Sequence, residues 1–486
     1  MNRRKFLTTM TAASVASISL RNAQQPVMAE SASMVPQPAS SHPNVVLFIC
    51  DDLGYGDLSC YGGRLQTPNL DRLAAEGTVL THCNTPHPTC SAARAAILTG
   101  RYASRSGVSR VFFPADTTGM NLGTPTIAST LKKQGYHTAA FGKWHLGNSG
   151  EYLPGGRGFD EYLGVPYSVD MAPLPLIDGT KALEENADRD LLTQRYTERA
   201  LQVIEREKSK PFFLYMAYSY PHIPIHASPR FRGRSKHGIY GDSVMEIDWS
   251  VGEIRKAIQD AGLENDTLFL FTSDHGPWYQ GDPGRLKGRK NTDFEGGVRV
   301  PFIACWKGQL QADRREDAFF STMDVLPMLA SVCNAELPSG QLDGVNEWAV
   351  LSGRERTVKR NGIVLYTSGD DYNVHCARQG DWKLRFASFD SPPYVYRAYP
   401  RKSYTLARAE LYDLRSDPTE SYDVASAHPD LVQSMLVRVE EAIKTFPDEV
   451  QAVFAEQKKY VGSAHSSAGE TPLPVNTPFP SSNYMN

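Results

Sequence analysis

The sequence predicts an α/β fold followed by a smaller C-terminal region of a different texture. Short, continuous apolar runs at residues 44–50, 210–218 and 267–272 are typical of buried strands in a parallel sheet. Segments with helical periodicity, such as 190–209, alternate with these runs. From about residue 360 the predicted strands are short and separated by turn residues, which indicates an antiparallel hairpin or meander. The 486 residues suffice for a large core and two domains.

Composition and charge exclude several classes of protein. The formal net charge is −3, and the chain has no basic run and no interleaving of basic and aromatic residues, so we expect no nucleic-acid partner. The seven cysteines are an odd number in irregular spacing without a C-x-x-C pair. This pattern indicates neither a zinc knuckle nor a dense disulfide framework.

The N-terminus is typical of an exported protein. Residues 1–29 resemble a twin-arginine signal peptide, with Arg3 and Arg4 before a mildly apolar segment and a small-residue cleavage site at 27–29. A basic start to a Sec-type signal is the alternative. The segment is too short and too polar to span a membrane, so we expect no stable membrane insertion. We predict the twin-arginine machinery as a partner, a bacterial periplasmic or extracellular location, and a flexible leader at 30–42.

Acidic residues follow two of the predicted strands. Asp51 and Asp52 come directly after the run 44–50, and Asp274 and His275 come after the run 267–272. Because α/β sheets bind ligands at the carboxyl ends of their strands, we expect an oxygen-rich cation site there. A solvated Asp-Asp turn is the alternative for the first pair. The imidazole of His275 is a less typical ligand for calcium, which prefers oxygen.

A cysteine lies at the start of a predicted helix that follows the turn-rich residues 85–89. Gly100 is the expected C-cap of this helix. Cys90 is thus placed where free N–H groups and the helix dipole favour an anion, and Arg94 lies one turn further on the same face. The alternative is a buried structural cysteine.

Three further polar residues follow predicted strands. Lys143 and His145, after the run 135–141, point to the same side of an extended segment. A lysine can hold an anionic oxygen there, and a histidine can act as a base near neutral pH. His222 follows the run 210–218 in a proline-rich loop. For all three, a surface or structural role is the alternative.

Several blocks together resemble one enzyme family. The motif C-x-[PA]-x-R followed by A-x-x-L-T-G-R begins at Cys90, G-K-W-H-L-G spans 142–147, and G-R-L-K-G-R-K with F-E-G-G-V-R-V-P spans 284–301. In this order, over residues 43–445, the blocks are similar to those of formylglycine-dependent sulfatases, and the block near Ser168 resembles the arylsulfatase A branch. The resemblance implies an alkaline-phosphatase-like sandwich, with a large mixed sheet between helices and a small C-terminal α+β subdomain with an antiparallel sheet.

The resemblance also implies a reaction. Cys90 would be oxidised by a formylglycine-generating maturase, and the aldehyde hydrate would attack the sulfur of a sulfate monoester. Ala92 departs from the commoner proline of the motif, which leaves open which maturase acts. The family's roles map onto three sets of residues: Cys90, Arg94, Lys143, His145, His222 and Lys287 for catalysis; Lys143, Ser168, His222 and Lys287 for substrate binding; Asp51, Asp52, Cys90, Asp274 and His275 for one Ca²⁺.

We therefore predict a sulfatase that acts on an aryl or carbohydrate sulfate, either a small molecule or a glycan. The expected domains are the catalytic α/β domain at 43–355, the α+β subdomain at 356–460 and a tail at 461–486. A phosphonate or phosphate ester hydrolase on the same scaffold is one alternative. A catalytically silent protein that binds sulfated glycans is another.

Overall fold

Eleven strands form one mixed sheet in the computed structural model, which describes residues 42–360, 362–367, 372–390 and 402–459. The predicted export signal, nearly all of the leader and the predicted tail lie outside these residues. The strands of the large sheet are β1 (Asn44–Cys50), β2 (Thr78–Asn84), β3 (His137–Gly142), β4 (Glu161–Gly164), β5 (Leu176–Asp178), β6 (Lys181–Glu184), β7 (Phe212–Ala217), β8 (Thr267–Ser273), β9 (Arg299–Cys305), β10 (Arg314–Glu316) and β11 (Phe320–Ser321).

The centre of this sheet is parallel, and antiparallel strands lie on both sides of it. The order is β10-β2-β9-β8-β1-β7-β3-β4-β5-β6, and β11 also pairs with β2. Strands β8, β1, β7, β3 and β4 are parallel neighbours. Strand β9 runs antiparallel to both β8 and β2, so β2 has the direction of the central strands. Strands β2, β8, β1, β7, β3 and β4 thus end at the same edge of the sheet.

Helices cover both faces of the sheet. The helices are α1 (Pro68–Ala75), α2 (Cys90–Thr99), α3 (Ile127–Lys132), α4 (Leu192–Glu207), α5 (Gly238–Asp260), α6 (Glu295–Val298), α7 (Val325–Val332), α8 (Trp348–Leu351), α9 (Pro429–Ile443) and α10 (Asp448–Lys458). One apolar core contains side chains of α2, α3, α7 and α8, and a second core contains those of α1, α4 and α5. All seven residues of β1 are buried, as its continuous apolar sequence predicts. The predicted sandwich is confirmed.

The C-terminal region forms the predicted antiparallel sheet. Its strands are β12 (Val364–Thr367), β13 (Val374–Gln379), β14 (Trp382–Asp390) and β15 (Lys402–Asp413), in that order. Side chains of α9 and α10 share a third apolar core with this sheet and with Ala96, Val298 and Met323 of the larger region. The C-terminal sheet therefore packs directly against the larger region.

Two sequence expectations differ from the structure. The sequence of residues 171–190 predicts a loop, but the segment contains the hairpin of β5 and β6, closed by a two-residue turn whose Gly179 has φ of 62°. Such a turn suits a glycine because residues with a side chain resist a positive φ. Helix α10 lies in a segment without a predicted element, where its buried Val450 and Phe454 join the third core. No helix within the described ranges is long and apolar enough to cross a membrane.

Candidate active site

The predicted site residues other than Lys287 lie together at the edge where strands β1, β2, β3, β4, β7 and β8 end. Asp51 and Asp52 follow β1, Cys90 follows β2, and Lys143 and His145 follow β3. The remaining strands add the other predicted side chains: Ser168 after β4, His222 after β7, and Asp274 and His275 after β8. Strand β9 starts at this edge because it is antiparallel, so the segment before it, which contains Lys290, also arrives there.

Local sequence explains how Cys90 is presented. Helix α2 begins at Cys90 and ends before Gly100, whose φ of 65° confirms the predicted left-handed cap. All ten residues of the helix are buried. Its alanine side chains are small, so neighbouring segments can pack close to the helix. The thiol is 3% exposed and has three polar neighbours: His275 Nε2 at 3.4 Å, Lys290 Nζ at 3.5 Å and Asp51 Oδ1 at 3.6 Å.

Two lysines hold the carboxylates that follow β1. Lys143 Nζ lies 2.6 Å from Asp51 Oδ2 and donates to Ser168 Oγ at 3.1 Å. Lys290 Nζ lies 2.6 Å from Asp52 Oδ1. The approach of Lys143 requires Gly142, since a Cβ there would lie 1.8 Å from the Ala217 carbonyl oxygen.

The guanidinium of Arg94 connects the ends of three strands, β1, β3 and β8. Its Nε donates to Asp274 Oδ2 at 3.1 Å, and its Nη1 donates to the Lys143 carbonyl at 3.0 Å. Its Nη2 is 3.6 Å from Asp51 Oδ1. Arg94 is fully buried, so these contacts carry a charge that water does not reach.

Three histidines present one ring nitrogen each to the site. His145 donates from Nε2 to the Phe112 carbonyl at 2.9 Å, so its buried Nδ1, which has no hydrogen-bond partner within the described structure, is the free base position. His275 donates from Nδ1 to the Gly276 carbonyl at 2.9 Å, which turns Nε2 towards Cys90. His222 donates from Nδ1 to the Ile223 carbonyl, and its Nε2 faces Ser168 Oγ at 3.4 Å.

Two of the site residues adopt a strained backbone. Asp52 has φ of 66° and His145 has φ of 62°, a region that residues with a Cβ rarely occupy. Such strain costs of the order of 1 kcal/mol per residue and persists where packing over-determines the geometry. It is typical of residues whose side chains are held for a function.

The cluster shifts the pKa values of its members. Burial alone would raise the pKa of Cys90, but Lys143, Lys290 and His275 hold it well below the ordinary value of a thiol. Burial lowers the pKa of His145, with a further contribution from Lys143, so its neutral form is favoured. Asp274 has its pKa raised to about 6, because burial and the neighbouring Asp51 outweigh its basic contacts.

The donor set fits a divalent cation. One ligand atom from each of Asp51, Cys90, Asp274 and His275 lies within 4.8 Å of the others, and all four residues are buried. Asp52 adds a buried Oδ2 that has no hydrogen-bond partner among the described residues. Carboxylate oxygens with one imidazole nitrogen suit a hard or borderline cation. Asp51 and Cys90 group in the same way with Asp52 and His222. The five residues predicted as ligands therefore lie in two overlapping groups, and their binding of one ion stays a prediction.

One lysine predicted for the site, Lys287, lies outside it. Lys287 Nζ donates to the Glu420 carbonyl at 3.1 Å and lies 4.2 Å from the centre of the Phe294 ring, so it faces the C-terminal region. Lys290 takes the position expected of Lys287. Both belong to one glycine- and lysine-rich stretch without local periodicity, so spacing alone could not separate them. Tertiary contacts separate the positions of the two lysines, since the Lys290 N–H donates to the Pro277 carbonyl at 3.0 Å.

Comparisons with known proteins agree with this geometry. The sulfatase family profile matches residues 43–335. Human arylsulfatase A is 36% identical over 438 residues, which cover 81% of this chain and 86% of that protein. The chain belongs to the sulfatase family. It is a sulfatase enzyme, and sulfate ester hydrolysis is its reaction.

Solved structures of other sulfatases share the fold. The PsFucS1 sulfatase from Pseudoalteromonas sp. has a TM-score of 0.74 and 29% identity, covering 86% of this chain and 91% of that one. Ps i-CgsB in complex with k-i-k-neocarrahexaose has a TM-score of 0.71 and 27% identity, covering 82% of this chain and 92% of that one. The fold of this sulfatase is therefore alkaline-phosphatase-like, as the sequence resemblance implied.

Proposed function

We propose that this sulfatase hydrolyses aryl or carbohydrate sulfate monoesters with a formylglycine formed from Cys90 and one bound calcium ion. The observation that carries the proposal is the position of Cys90, which lies at a helix N-terminus within 3.6 Å of His275, Lys290 and Asp51. A merely structural thiol would not need an ammonium, an imidazole and a carboxylate around it. As a hydrate, formylglycine would supply two hydroxyl groups on one carbon, one to attack sulfur and one to release the sulfate.

The basic residues stabilise the charge that develops on the sulfate oxygens. Attack at sulfur places additional negative charge on these oxygens, and Lys143, Lys290 and Arg94 supply a fixed positive field within a buried site. Asp51, Asp52, Asp274 and His275 would hold the cation, which supplies Lewis-acid polarisation of a sulfate oxygen when bound. Ser168, placed between Lys143 and His222, can donate to the same group.

Two histidines divide the proton transfers. His145 is held in the tautomer whose Nδ1 is unprotonated, so it can take the proton from the hydroxyl that remains at position 90 after the alcohol has left. His222 has Nε2 directed at Ser168 and Asp52, and its pKa is raised to about 8, because the two aspartates outweigh burial and the lysines. A protonated His222 can therefore donate to the leaving oxygen.

The burial of Cys90 bears on the order of maturation and export. A thiol that is 3% exposed is out of reach of a modifying enzyme once the chain has folded, so we propose that the maturase acts on the unfolded chain in the cytoplasm. The twin-arginine-like signal at residues 1–29 fits this order, because that route moves folded proteins. The mature enzyme would then act in the periplasm or outside the cell.

The test is turnover of 4-nitrophenyl sulfate by the purified enzyme and by Cys90→Ala. We expect the wild type to release sulfate, and the variant to lose more than about 10³-fold in kcat while keeping its thermal transition. Full activity in the variant would exclude Cys90 as the nucleophile. A larger kcat/KM with the corresponding aryl phosphate would favour an ester hydrolase of another class, and tight binding of a sulfated glycan without sulfate release would favour a binding protein.

A further inference from the structure

A basic segment, residues 230–236, lies between β7 and α5. Its four basic residues, Arg230, Arg232, Arg234 and Lys236, are all exposed, and they alternate with other residues, so they form no continuous basic run in the sequence. Arg232 pairs with Asp190. Arg234 and Lys236 form no ion pair and no side-chain hydrogen bond within the described part of the chain. The whole chain has a formal net charge of −3, so unpaired cations close together indicate a surface for an anionic partner.

The backbone of the basic segment is anchored to helix α5. The buried carboxylate of Asp242 accepts the N–H of Gly233 at 2.7 Å and that of Ser235 at 2.6 Å. The N–H of Arg234, which lies between these two residues, donates to the Phe231 carbonyl at 3.1 Å. Because the backbone on both sides of Arg234 is fixed, less conformational entropy is lost when its guanidinium binds an anion.

A groove of about 580 Å³ lies beside the basic segment. Its lining includes Arg64 of the loop between β1 and α1, Phe231 of the segment, and Met245 and Trp249 of α5. Asp242, Met245 and Trp249 are spaced by three and four residues, so they share one face of α5, and the segment anchored at Asp242 lies next to the groove. Arg64 is exposed and has no ion pair among the described residues.

The aromatic rings of the groove hold one of the cations in place. The guanidinium of Arg230 lies 4.5 Å from the ring centroid of Trp249 and 5.3 Å from that of Phe231. The two ring centroids are 5.6 Å apart, and Trp249 Nε1 donates to Glu253 at 2.9 Å. The rings are therefore engaged by protein groups, and their role is to fix the charge of Arg230 at the edge of the groove.

Two carboxylates also line the groove, and both are bound by protein donors. Asp248 accepts the Leu70 N–H at 2.8 Å and the Asn69 side-chain amide at 2.9 Å, and it is 3% exposed. Asp71 accepts the Cys60 N–H at 3.0 Å. These contacts direct the carboxylates towards the protein, whereas the basic side chains at the groove and on the segment are exposed.

The basic segment is connected to the active site through the loop after β7. This loop carries His222, which is 7% exposed, and Lys290 beside it is 10% exposed, whereas the other charged side chains of the site are at most 1% exposed. A substrate therefore enters beside His222. Further along the loop, His226 Nδ1 lies 2.7 Å from Asp190 Oδ1, and Arg232 pairs with the other oxygen of this carboxylate. The basic segment thus lies on the same loop as the opening of the site.

We propose that the basic segment and Arg64 form a second anion-binding surface, which holds sulfate groups of a polysaccharide outside the active site. A membrane surface fits less well, because Phe231, the apolar residue of the segment, is only 9% exposed and is not available for insertion. The surface would bind a part of the polymer that does not react, so it would lower KM for a polymer and leave kcat unchanged. The nature of the polymer rests on the proposed function, but binding to the surface does not require turnover.

The test measures the binding of dextran sulfate, a polymeric sulfate ester, to a triple variant with Arg64→Ser, Arg234→Ser and Lys236→Ser. These side chains have no ion pair to lose within the described structure, so the fold should be unaffected. At about 50 mM salt we expect the Kd to rise at least about tenfold. The slope of log Kd against log salt concentration should fall by about two, because cations that contact a dense polyanion release its counterions.

The matched control is a second triple variant, with Arg354→Ser, Arg356→Ser and Lys359→Ser. It removes three exposed cations from the segment after α8, so it changes the net charge by the same amount. Its Kd for dextran sulfate should stay within about twofold of the wild type. An equal loss of binding in both variants would show that only the net charge matters, and this would overturn the proposal.

Turnover of 4-nitrophenyl sulfate separates the surface from the active site. The variant of Arg64, Arg234 and Lys236 should keep kcat and KM within about twofold, because this small ester does not reach the surface. A large loss of this turnover, or an unchanged Kd for dextran sulfate, would overturn the proposal. So would binding to phosphatidylglycerol vesicles that depends on these residues while binding to dextran sulfate does not. If the wild type releases no sulfate, the proposed function fails, and the dextran sulfate titration still decides the surface.

Discussion

Two buried clusters of charge lie along the segment from Lys290 to Arg299, and they differ in how their charges are matched. In the active site, three aspartates share three bases: Asp51, Asp52 and Asp274 with Arg94, Lys143 and Lys290. The second cluster, called the clamp here, joins the segment to the C-terminal region with three acids and four bases: Asp293, Glu295 and Glu420 with Arg299, Arg378, Lys383 and Arg385.

The difference separates a structural cluster from a functional one. In the clamp, Glu295 contacts Arg299 at 2.7 Å, Lys383 at 3.1 Å and Arg378 at 3.3 Å. Although burial opposes it, these bases hold the pKa of Glu295 well below its usual range. In the active site, burial and the negative charge of the neighbouring Asp51 raise the pKa of Asp274, although Arg94 contacts both carboxylates. The active site, in which carboxylates and bases are equal in number, can take a cation, whereas the clamp, in which the bases outnumber the three acids, does not attract one.

The largest expected effect tests whether Lys290 or Lys287 belongs to the active site. Lys290→Ala removes a positive charge 3.5 Å from Cys90 Sγ, so kcat/KM with the aryl sulfate substrate should fall about 10³-fold. Lys287→Ala, the matched variant three residues away, removes contacts with the Glu420 carbonyl and the Phe294 ring, both outside the active site, and should stay within about threefold. Steady-state kinetics on both variants measures this. A larger loss for Lys287→Ala would reverse our assignment.

Cation removal should affect the two clusters unequally. Chelation should lower activity about 100-fold, because the carboxylates at Cys90 then lose their neutralising ion, and added Ca²⁺ should restore it. The clamp lacks surplus carboxylate, so the C-terminal region should keep its hydrogen-exchange protection. Turnover assays measure the first effect, and hydrogen exchange followed by mass spectrometry, with and without chelator, measures the second. Activity that survives exhaustive chelation would contradict a catalytic cation.

Removal of a charge from the clamp should lower the stability of the fold. Glu295→Gln leaves three buried bases without their common carboxylate, so the free energy of unfolding should fall by about 3–5 kcal/mol. Glu410→Gln is the control, because Glu410 is 29% exposed and should cost under about 1 kcal/mol. Chemical denaturation measures both. Equal losses would mean that the clamp contributes no more than a surface pair.

A pH profile should reveal a buried histidine beside the clamp. Burial lowers the pKa of His375 to about 4, and Arg385 adds to this against the opposing Asp293. A histidine with a lowered folded-state pKa stabilises the fold above pH 6.5, and this contribution is lost as the pH falls towards 4. The full shift corresponds to roughly 3 kcal/mol. His375→Asn should flatten the stability profile between pH 6.5 and 4, and an unchanged slope would contradict the shift.

The smallest expected effect concerns Asn291, which lies in sequence between the residues of the two clusters. Asn291 has φ of 69°, and its N–H donates to the Pro88 carbonyl at 3.1 Å, next to the start of α2. Asn291→Ala should cost about 1 kcal/mol of stability, because a side chain other than Asn or Asp resists this conformation, while Asn291→Gly should be nearly neutral. Thermal unfolding distinguishes them. An alanine variant as stable as the glycine variant would show that the backbone is not strained.

Most of the fold and most of the site follow from local sequence. Buried runs such as 44–50 and 267–272 identify the central strands, and residues directly after them, such as Asp51 and Asp274, reach the site because parallel strands end at one edge. The sequence could not show which of Lys287 and Lys290 reaches the site. Strand β9 is antiparallel, and the segment before it has no periodic pattern that would indicate the direction of its side chains. Register there is set by contacts such as Pro277 with Lys290.

The features that the sequence did not predict are either short or formed by residues that lie far apart in sequence. The hairpin of β5 and β6 has strands of only three and four residues, too short for an alternating pattern. The clamp joins residues more than 80 positions apart, such as Glu295 and Lys383, and no motif spans that distance. Such pairs become visible only when the two sheets are packed together.

The most direct test of the account is the mass of the tryptic peptide that spans residues 73–94, from enzyme made in its native host. This peptide contains both Cys83, a buried strand residue, and Cys90, so alkylation of Cys83 is an internal control. We predict a loss of about 18 Da that fragment ions place at Cys90, as conversion of CH₂SH to CHO requires, with Cys83 alkylated normally. Two alkylated thiols in an active preparation would contradict a formylglycine nucleophile.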